Sequence, residues 1–278
     1  MNARLLFILL LFTIGALWYI IGYWRRKAGE AAFAAARLTE KSEERERYCR
    51  LAVMAGHRKA CRMFCLLHPE RFDGHSPHKP FKLRGIRISF YGYYYPSRYN
   101  ALLNDEQKAF CHSIYQFKQG DIHGIEFFKT CMNALQLKKR PYHIMFMPCS
   151  NWIKYGQRFK RLDWYIGKHR QDLTSGLYDV DICDARESLH EAKGGEKRIL
   201  ERNYLITGKI KGKEIIIIDD VLTTGQSVVD YKEEIERCGG KVVAAIFYGK
   251  TLSMPSMLLV QIHVCGNHIA HIIELMTK

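Results

Sequence analysis

The sequence predicts an α/β protein with a parallel β-sheet, preceded by a transmembrane helix and a small helical region. Segments typical of strands and helices alternate between residues 142 and 251, which is the pattern of a parallel sheet with crossover connections. One of these strands contains four consecutive isoleucines, as expected for a strand covered on both faces. Residues 5–24 carry no charge. The predicted division is an anchor at residues 1–27, a helical region at 28–75 and an α/β domain at 76–278, with its core at 142–251.

Composition restricts the partners and the compartment. The 278-residue chain has a formal charge of +15, which suits nucleic acid, an anionic membrane face or a phosphorylated ligand and does not choose among them. The nine cysteines are odd in number and contain no C-x-x-C pair. A disulfide framework is therefore disfavoured, and a reducing compartment is predicted.

The N-terminal segment is predicted to be a membrane anchor. Twenty helical residues span about 30 Å, roughly the thickness of the hydrocarbon layer of a bilayer. Aromatic residues crowd the far end of residues 5–24, and the basic run RRK follows at residues 25–27. The positive-inside rule then predicts a single-pass protein with its N-terminus outside and the rest on the cytoplasmic side. A cleaved signal peptide is the alternative, but its positive charge would come first.

The helical region and the start of the α/β domain follow. Residues 28–75 are rich in alanine, leucine and charged residues, which favour helices. The spacing of small residues from Tyr48 to Ala60 resembles one unit of a Sel-type helical repeat, which would form either a packed helical hairpin or a surface for a partner. Tyrosine-rich residues 87–100 predict a strand or hairpin arm. Asn104 is predicted to cap a helix that runs to Phe117, and residues 121–137 predict a second helix.

The core alternates between the two element types. Strands are predicted at residues 143–147, 178–183, 215–218 and 242–247, and helices at 155–169 and 226–238. Gly239 and Gly240 close the second of these helices. Residues 184–208 form a long polar segment.

The segment EIIIIDDVLTTGQSVVD, residues 214–230, carries the most specific chemistry. A P-loop NTPase has acidic residues after a similar strand, but it needs an upstream G-x-x-x-x-G-K-[ST] loop, which this chain lacks. A response-regulator receiver would need most of a domain after the aspartates, and only 58 residues follow Asp220. Both interpretations fail.

A sugar-phosphate site fits the same residues. The turn at residues 223–227 leads into a helix N-terminus, where backbone N–H groups and hydroxyls can hold a phosphate. Asp219 and Asp220 can accept hydrogen bonds from two neighbouring sugar hydroxyls. The stretch resembles the phosphoribosyl pyrophosphate (PRPP) signature of type I phosphoribosyltransferases. The resemblance implies that fold, with PRPP-binding residues Asp219, Asp220, Thr223, Thr224, Gly225, Gln226 and Ser227.

Upstream segments resemble the ComF-like branch of these enzymes. Residues 147–150 and the basic run at 157–161 look like its pyrophosphate loop and basic helix, and residues 186–189 and 201–203 look like the segment that carries its mobile hood. The resemblance assigns Cys149, Ser150 and Asn151 to the pyrophosphate loop. It assigns Lys193, Lys197 and Arg198 to the hood. ComF proteins usually begin with a four-cysteine zinc element, which is absent from this sequence, so the resemblance by itself gives little support to a role in DNA uptake.

The resemblance implies an activity and a cofactor. A type I phosphoribosyltransferase displaces pyrophosphate from Mg²⁺-bound PRPP by a nitrogen nucleophile. Asp219 and Asp220 would then be the catalytic residues and the residues nearest the metal. The alternative is a non-catalytic module that binds PRPP or a related phosphorylated ribose and works in DNA uptake, defence or signalling at the membrane. The sequence leaves the acceptor, a nucleic-acid partner and the oligomeric state open.

Overall fold

The computed structural model describes residues 3–121, 123–182, 203–207 and 210–277. Two compact units form within these residues. The first contains residues up to 74, residues 99–103 and residues from 253 onward, and the second contains residues 75–98 and 104–252. The C-terminal residues therefore group with the N-terminal helices, whereas the predicted division keeps residues 76–278 together.

The first unit is helical. Its α-helices are α1 (Ala3–Leu38), α2 (Ser42–Met54), α3 (Arg58–Leu67), α4 (Pro69–Asp73) and α9 (Met257–Thr277). α2 and α3 form a hairpin whose turn passes through Gly56, at φ +87°. Phe33, Val53, Phe64 and Val260 are buried together, so α1, α2, α3 and α9 share one apolar core.

The predicted anchor lies within α1. This helix does not end at residue 27 but continues through the basic run to Leu38. Across the described ranges, the structure contains no helix with the length and apolarity needed to cross a membrane. The predicted transmembrane span at residues 5–24 is therefore not supported.

The second unit is an α/β domain. Its main sheet has the strand order β1-β2-β8-β7-β3-β4. The strands are β1 (Phe81–Leu83), β2 (Ile86–Tyr94), β3 (Tyr142–Phe146), β4 (Leu173–Ser175), β7 (Glu214–Leu222) and β8 (Lys241–Thr251). Only the β1–β2 pair is antiparallel among these neighbours. The helices are α5 (Asp105–Lys118), α6 (His123–Leu135), α7 (Trp152–His169) and α8 (Gln226–Arg237). The predicted α/β fold with a mostly parallel sheet is confirmed.

The four isoleucines of β7 occupy the middle of this sheet. All four are fully buried. Ile216 and Ile218 belong to the core on one face of the sheet. On the other face, the side chains of Ile215 and of Ile235 from α8 both lie close to Gly240. Burial on both faces explains the uninterrupted apolar run. β7 extends four residues beyond the run, so its carboxyl end carries the two aspartates.

One edge of the sheet differs from the prediction. The strand expected at residues 178–183 is β5 (Val180–Ile182), which pairs with β6 (Tyr204–Ile206) in a separate two-stranded antiparallel sheet. The parallel edge strand is instead β4, which pairs with β3. Only the first of its three residues is buried, so β4 has neither the length nor the periodicity that identifies a strand in a sequence.

Two helix starts follow from side-chain caps. The Asn104 side chain accepts from the backbone N–H of Gln107, and the Gln107 side chain accepts from the backbone N–H of Asn104, which confirms the predicted cap as a full capping box. Asn151 accepts from the backbone N–H of Lys154 at 2.9 Å. α7 therefore begins at Trp152, three residues before the predicted start.

We expect the close approach of the α5 and α7 segments to depend on Gly120. This residue has φ +86°, and an added Cβ would lie 2.4 Å from the Gln157 carbonyl oxygen. Gly120→Ala should therefore cost about 1–3 kcal/mol in the free energy of unfolding. Gly156→Ala is the control, because a Cβ at this helical position meets nothing within 4 Å and should stabilise α7 by up to about 1 kcal/mol. Denaturant unfolding of both variants checks this expectation, and equal effects at the two positions would contradict it.

Candidate active site

The candidate site lies where two neighbouring parallel strands end. β3 and β7 pair side by side and in the same direction, so the loops that follow them meet at one edge of the sheet. Residues 147–151 follow β3, and residues 223–227 follow β7. Open parallel sheets bind ligands in the crevice at this edge.

A buried pair of carboxylates forms the centre of the site. The side chains of Asp219 and Asp220 are only 16% and 10% exposed. Arg158 of α7 places Nη1 2.9 Å from Asp220 Oδ2 and 3.5 Å from Asp219 Oδ1. Lys118, at the end of α5, places Nζ 3.2 Å from the same Asp220 oxygen. Two cations from two helices therefore hold the pair.

The two carboxyl groups differ in their affinity for a proton. Burial and the neighbouring Asp220 carboxylate raise the pKa of Asp219 to about 8. Burial also opposes ionisation of Asp220, but Arg158 and Lys118 outweigh it and lower the pKa of that residue. At neutral pH the pair therefore favours one proton on Asp219 and a negative charge on Asp220. The charge on Asp220 is more than matched by Arg158 and Lys118, which suits an anionic ligand.

The turn after β7 presents the N-terminus of α8. Gly225 occupies the N-cap position with φ +79°, where side-chain capping is absent in the described structure. The backbone conformation favours glycine, and an added Cβ would lie 2.3 Å from Leu83 Cδ2, so that side chain would have to move. Thr223, Thr224 and Ser227 are exposed around this turn. The first N–H groups of α8 are therefore available, apart from a 3.4 Å contact between Gln226 N and Thr224 Oγ1.

A further cation borders this turn. Arg84, in the β1–β2 turn, donates from Nη1 to Gln226 Oε1 at 2.6 Å. Gln226 in turn donates from Nε2 to Asp230 Oδ1 at 2.6 Å. Sequence reasoning missed Arg84 because it lies 142 residues before Gln226, and no local pattern relates the two.

In the loop after β3, several polar groups already form hydrogen bonds within the protein. Cys149 is buried, and this burial raises the pKa of its thiol to about 12. Asn203 donates from Nδ2 to the carbonyl oxygens of Cys149 and Ser150, at 3.1 and 3.4 Å. Asn151 caps α7. Of the three predicted pyrophosphate-loop side chains, Cys149 is buried and Asn151 caps α7, whereas Ser150 has no such role in the described residues. Besides Ser150, the loop can offer its backbone groups to a ligand.

The remaining predicted residues fall elsewhere. Lys193, Lys197 and Arg198, assigned to the hood, lie outside the residues that the structure describes. Arg158 belonged to a predicted basic run, but its role as the partner of the carboxylates was not predicted. Lys118 was missed. Its only sequence signal is its position at the end of a predicted helix.

The site offers few protein ligands to a metal ion. No group of three or more His, Cys, Asp or Glu residues that could hold a metal is present in the described part of the chain. Asp219 and Asp220 supply oxygen atoms only. This set fits Mg²⁺, which usually binds one or two carboxylates and takes its other ligands from water and substrate phosphates.

Removal of Arg158 should destabilise the second unit. Arg158→Gln leaves two buried carboxyl groups with Lys118 as their only described cation. Breaking a buried ion pair in this way costs about 3–5 kcal/mol. Arg161→Gln is the matched control on the same helix, because Arg161 is exposed and should change the free energy of unfolding by less than about 0.5 kcal/mol. Denaturant unfolding distinguishes the two, and a tolerated Arg158→Gln change would contradict the structural role.

The raised pKa of Asp219 predicts a pH-dependent stability. In the unfolded chain this carboxyl group ionises near pH 4, whereas in the folded protein its pKa is about 8. Between these values only the folded state retains the proton, so the contribution of Asp219 to stability falls as the pH rises. Asp219→Asn should therefore become more stable than the wild type as the pH rises from 5 to 8. Thermal unfolding across this range measures the difference, and a pH-independent difference would contradict the shift.

Comparison with known proteins matches the segment that contains the carboxylate pair. Residues 171–251 match the phosphoribosyl transferase domain. A 57-residue stretch is 42% identical to orotate phosphoribosyltransferase from Sulfolobus acidocaldarius, covering 20% of this chain and 26% of the relative. Neither match indicates the ComF-like branch. Residues 171–251 are thus similar to a phosphoribosyl transferase domain, and the α/β sheet fits the type I fold.

Proposed function

We propose that the protein is a phosphoribosyltransferase that binds PRPP with Mg²⁺ and transfers the phosphoribosyl group to a nitrogen nucleophile, releasing pyrophosphate. One observation carries the proposal. A buried carboxylate pair stands directly before an uncapped helix N-terminus, within the segment that matches the phosphoribosyl transferase domain. This pairing of a hydroxyl acceptor with an anion site matches the two ends of a ribose phosphate.

The ribose and its phosphate would bind to different parts of the site. Asp219 and Asp220 would accept hydrogen bonds from the ribose hydroxyls. The backbone N–H groups at residues 225–227 and the hydroxyls of Thr223 and Thr224 would hold the phosphate, aided by the dipole of α8. Arg84 would add positive charge beside this phosphate, since its guanidinium already contacts Gln226.

Arg158 would act on the pyrophosphate side of the ligand. Its Nε atom is buried and has no hydrogen-bond partner within the described residues. A buried donor without a partner costs about 1–3 kcal/mol, which a ligand oxygen would offset. The cations at Arg158 and Lys118 would stabilise the negative charge that develops on the leaving group.

Magnesium would complete the charge balance. The carboxylate oxygens of Asp219 and Asp220 are the groups that would stand nearest to it. When bound, the ion would neutralise pyrophosphate charge and so help this group to leave. Because Asp219 retains a proton at neutral pH, binding of the cation should release that proton.

A non-catalytic PRPP-binding module is the second candidate. The observation that favours it is the loop after β3, where Cys149 is buried and Asn151 is engaged in capping α7. A loop with few free polar side chains gives pyrophosphate fewer contacts. Binding without turnover would then be the result.

Titration with PRPP and Mg²⁺ tests the proposal. Calorimetry should detect binding by the wild type, with proton release that shows as a dependence of the heat on the buffer. Asp220→Asn should weaken binding at least about tenfold, the effect of losing about 1.4 kcal/mol of charge-assisted hydrogen bonding. Glu233→Gln, an exposed change on α8, should leave binding unchanged.

Turnover separates the two candidates. Pyrophosphate release is measured with PRPP and a panel of nitrogen bases. Release with any base supports the enzyme, whereas PRPP binding without release supports the module. If PRPP does not bind, both candidates are wrong.

A further inference from the structure

An open groove runs along the outer face of α7, within the second unit. It has a volume of about 810 Å³. One wall is α7 itself, and the others are residues 119–120, after α5, and Leu177 with Tyr178, after β4. Neither carboxylate of the candidate active site lines this groove.

Large aromatic rings in the groove are exposed. Trp152, Trp164 and Tyr178 retain 41%, 55% and 67% of their accessible surface. The Trp152 and Tyr178 rings belong to different walls and contact each other, with centroids 6.1 Å apart and planes inclined by 44°. Exposed aromatic surface lining a concavity is typical of a binding site.

The charge of the groove is positive. Lys160 and Arg161 line it, and in the described structure no acidic residue does. Lys168 lies over the Trp164 ring, with Nζ 5.0 Å from its centroid. The nearby Asp163 is engaged elsewhere, because its carboxylate accepts a hydrogen bond from Ser175. An anionic partner with flat rings would therefore meet complementary groups.

We propose that the α7 groove, defined by Trp152, Lys160, Arg161, Trp164 and Tyr178, binds single-stranded nucleic acid. Bases would stack on the aromatic rings, and Lys160 and Arg161 would contact the phosphates, which is how proteins bind single strands without sequence preference. The overall charge of +15 would raise the association rate. An anionic lipid surface fits less well, since the rings line a concavity rather than a protruding face. The proposal does not rest on phosphoribosyl transfer.

Two glycines of α7 provide a matched test. An added Cβ meets nothing within 4 Å at either Gly156 or Gly167, and only Gly156 lines the groove. Gly156→Leu would fill the groove, whereas Gly167→Leu would make the same change on the same helix outside it. Both variants of the full chain are compared with the wild type by circular dichroism before binding is measured.

Binding is measured by fluorescence anisotropy with a labelled oligothymidylate at several salt concentrations. The wild type should bind, Gly156→Leu should lose at least about tenfold in affinity, and Gly167→Leu should not. Trp164→Ala should weaken binding about 5- to 150-fold, the effect of one lost stacking contact. Reversing both charges with K160E and R161E should reduce the steepness of the salt dependence by about 1.4, for two lost phosphate contacts.

Four results would overturn the proposal. They are no binding of the oligonucleotide, equal binding by Gly156→Leu and the wild type, unchanged binding by Trp164→Ala, and binding of phosphatidylserine vesicles instead of the oligonucleotide. If Gly156→Leu does not fold, Tyr178→Ala replaces it, because its side chain is 67% exposed. A loss of affinity in that variant then supports the groove, and unchanged affinity counts against it.

Discussion

The burial of two adjacent carboxyl groups at the end of a central strand is the constraint on which this domain depends. An isolated buried charge is too costly to persist, so the ionised Asp220 requires cations nearby, whereas Asp219 favours its protonated form. Arg158 and Lys118 reach them from α7 and α5. The positions of α5 and α7 are therefore set by these ion pairs as well as by their apolar faces. Neither cation lies within the segment that matches the phosphoribosyl transferase domain.

Local patterns predicted the central part of the fold. The isoleucine run identified β7 because burial on both faces leaves an unbroken apolar stretch, and Asn104 identified the start of α5 because capping is a local interaction. β4 could not be predicted in this way, because a strand of three residues with one buried side chain shows no hydrophobic periodicity. The predicted membrane span at residues 5–24 lies within the longer helix α1, and among the described residues no helix has the length and apolarity of a membrane span.

The same distinction applies to the site. Asp219, Asp220 and the turn that follows are contiguous in the chain, so their chemistry could be predicted as one motif. The partners of these groups come from distant segments. Arg84 and Lys118 became visible only when the fold placed them beside Gln226 and Asp220. A motif predicts which ligand atoms are recognised, whereas the charge balance around them depends on tertiary structure.

The contact between the β1–β2 turn and the start of α8 has a consequence for the order of folding. Arg84 and Gln226 are separated by 142 residues, and closing such a long loop carries a large entropic cost. Contacts of this kind slow folding, because their energy is gained only after the loop has closed. The turn at Gly225, which packs against Leu83, should therefore reach its final conformation late. A chain that begins at residue 142 would contain all of residues 214–230, yet it would lack the β1–β2 hairpin whose Leu83 packs against Gly225.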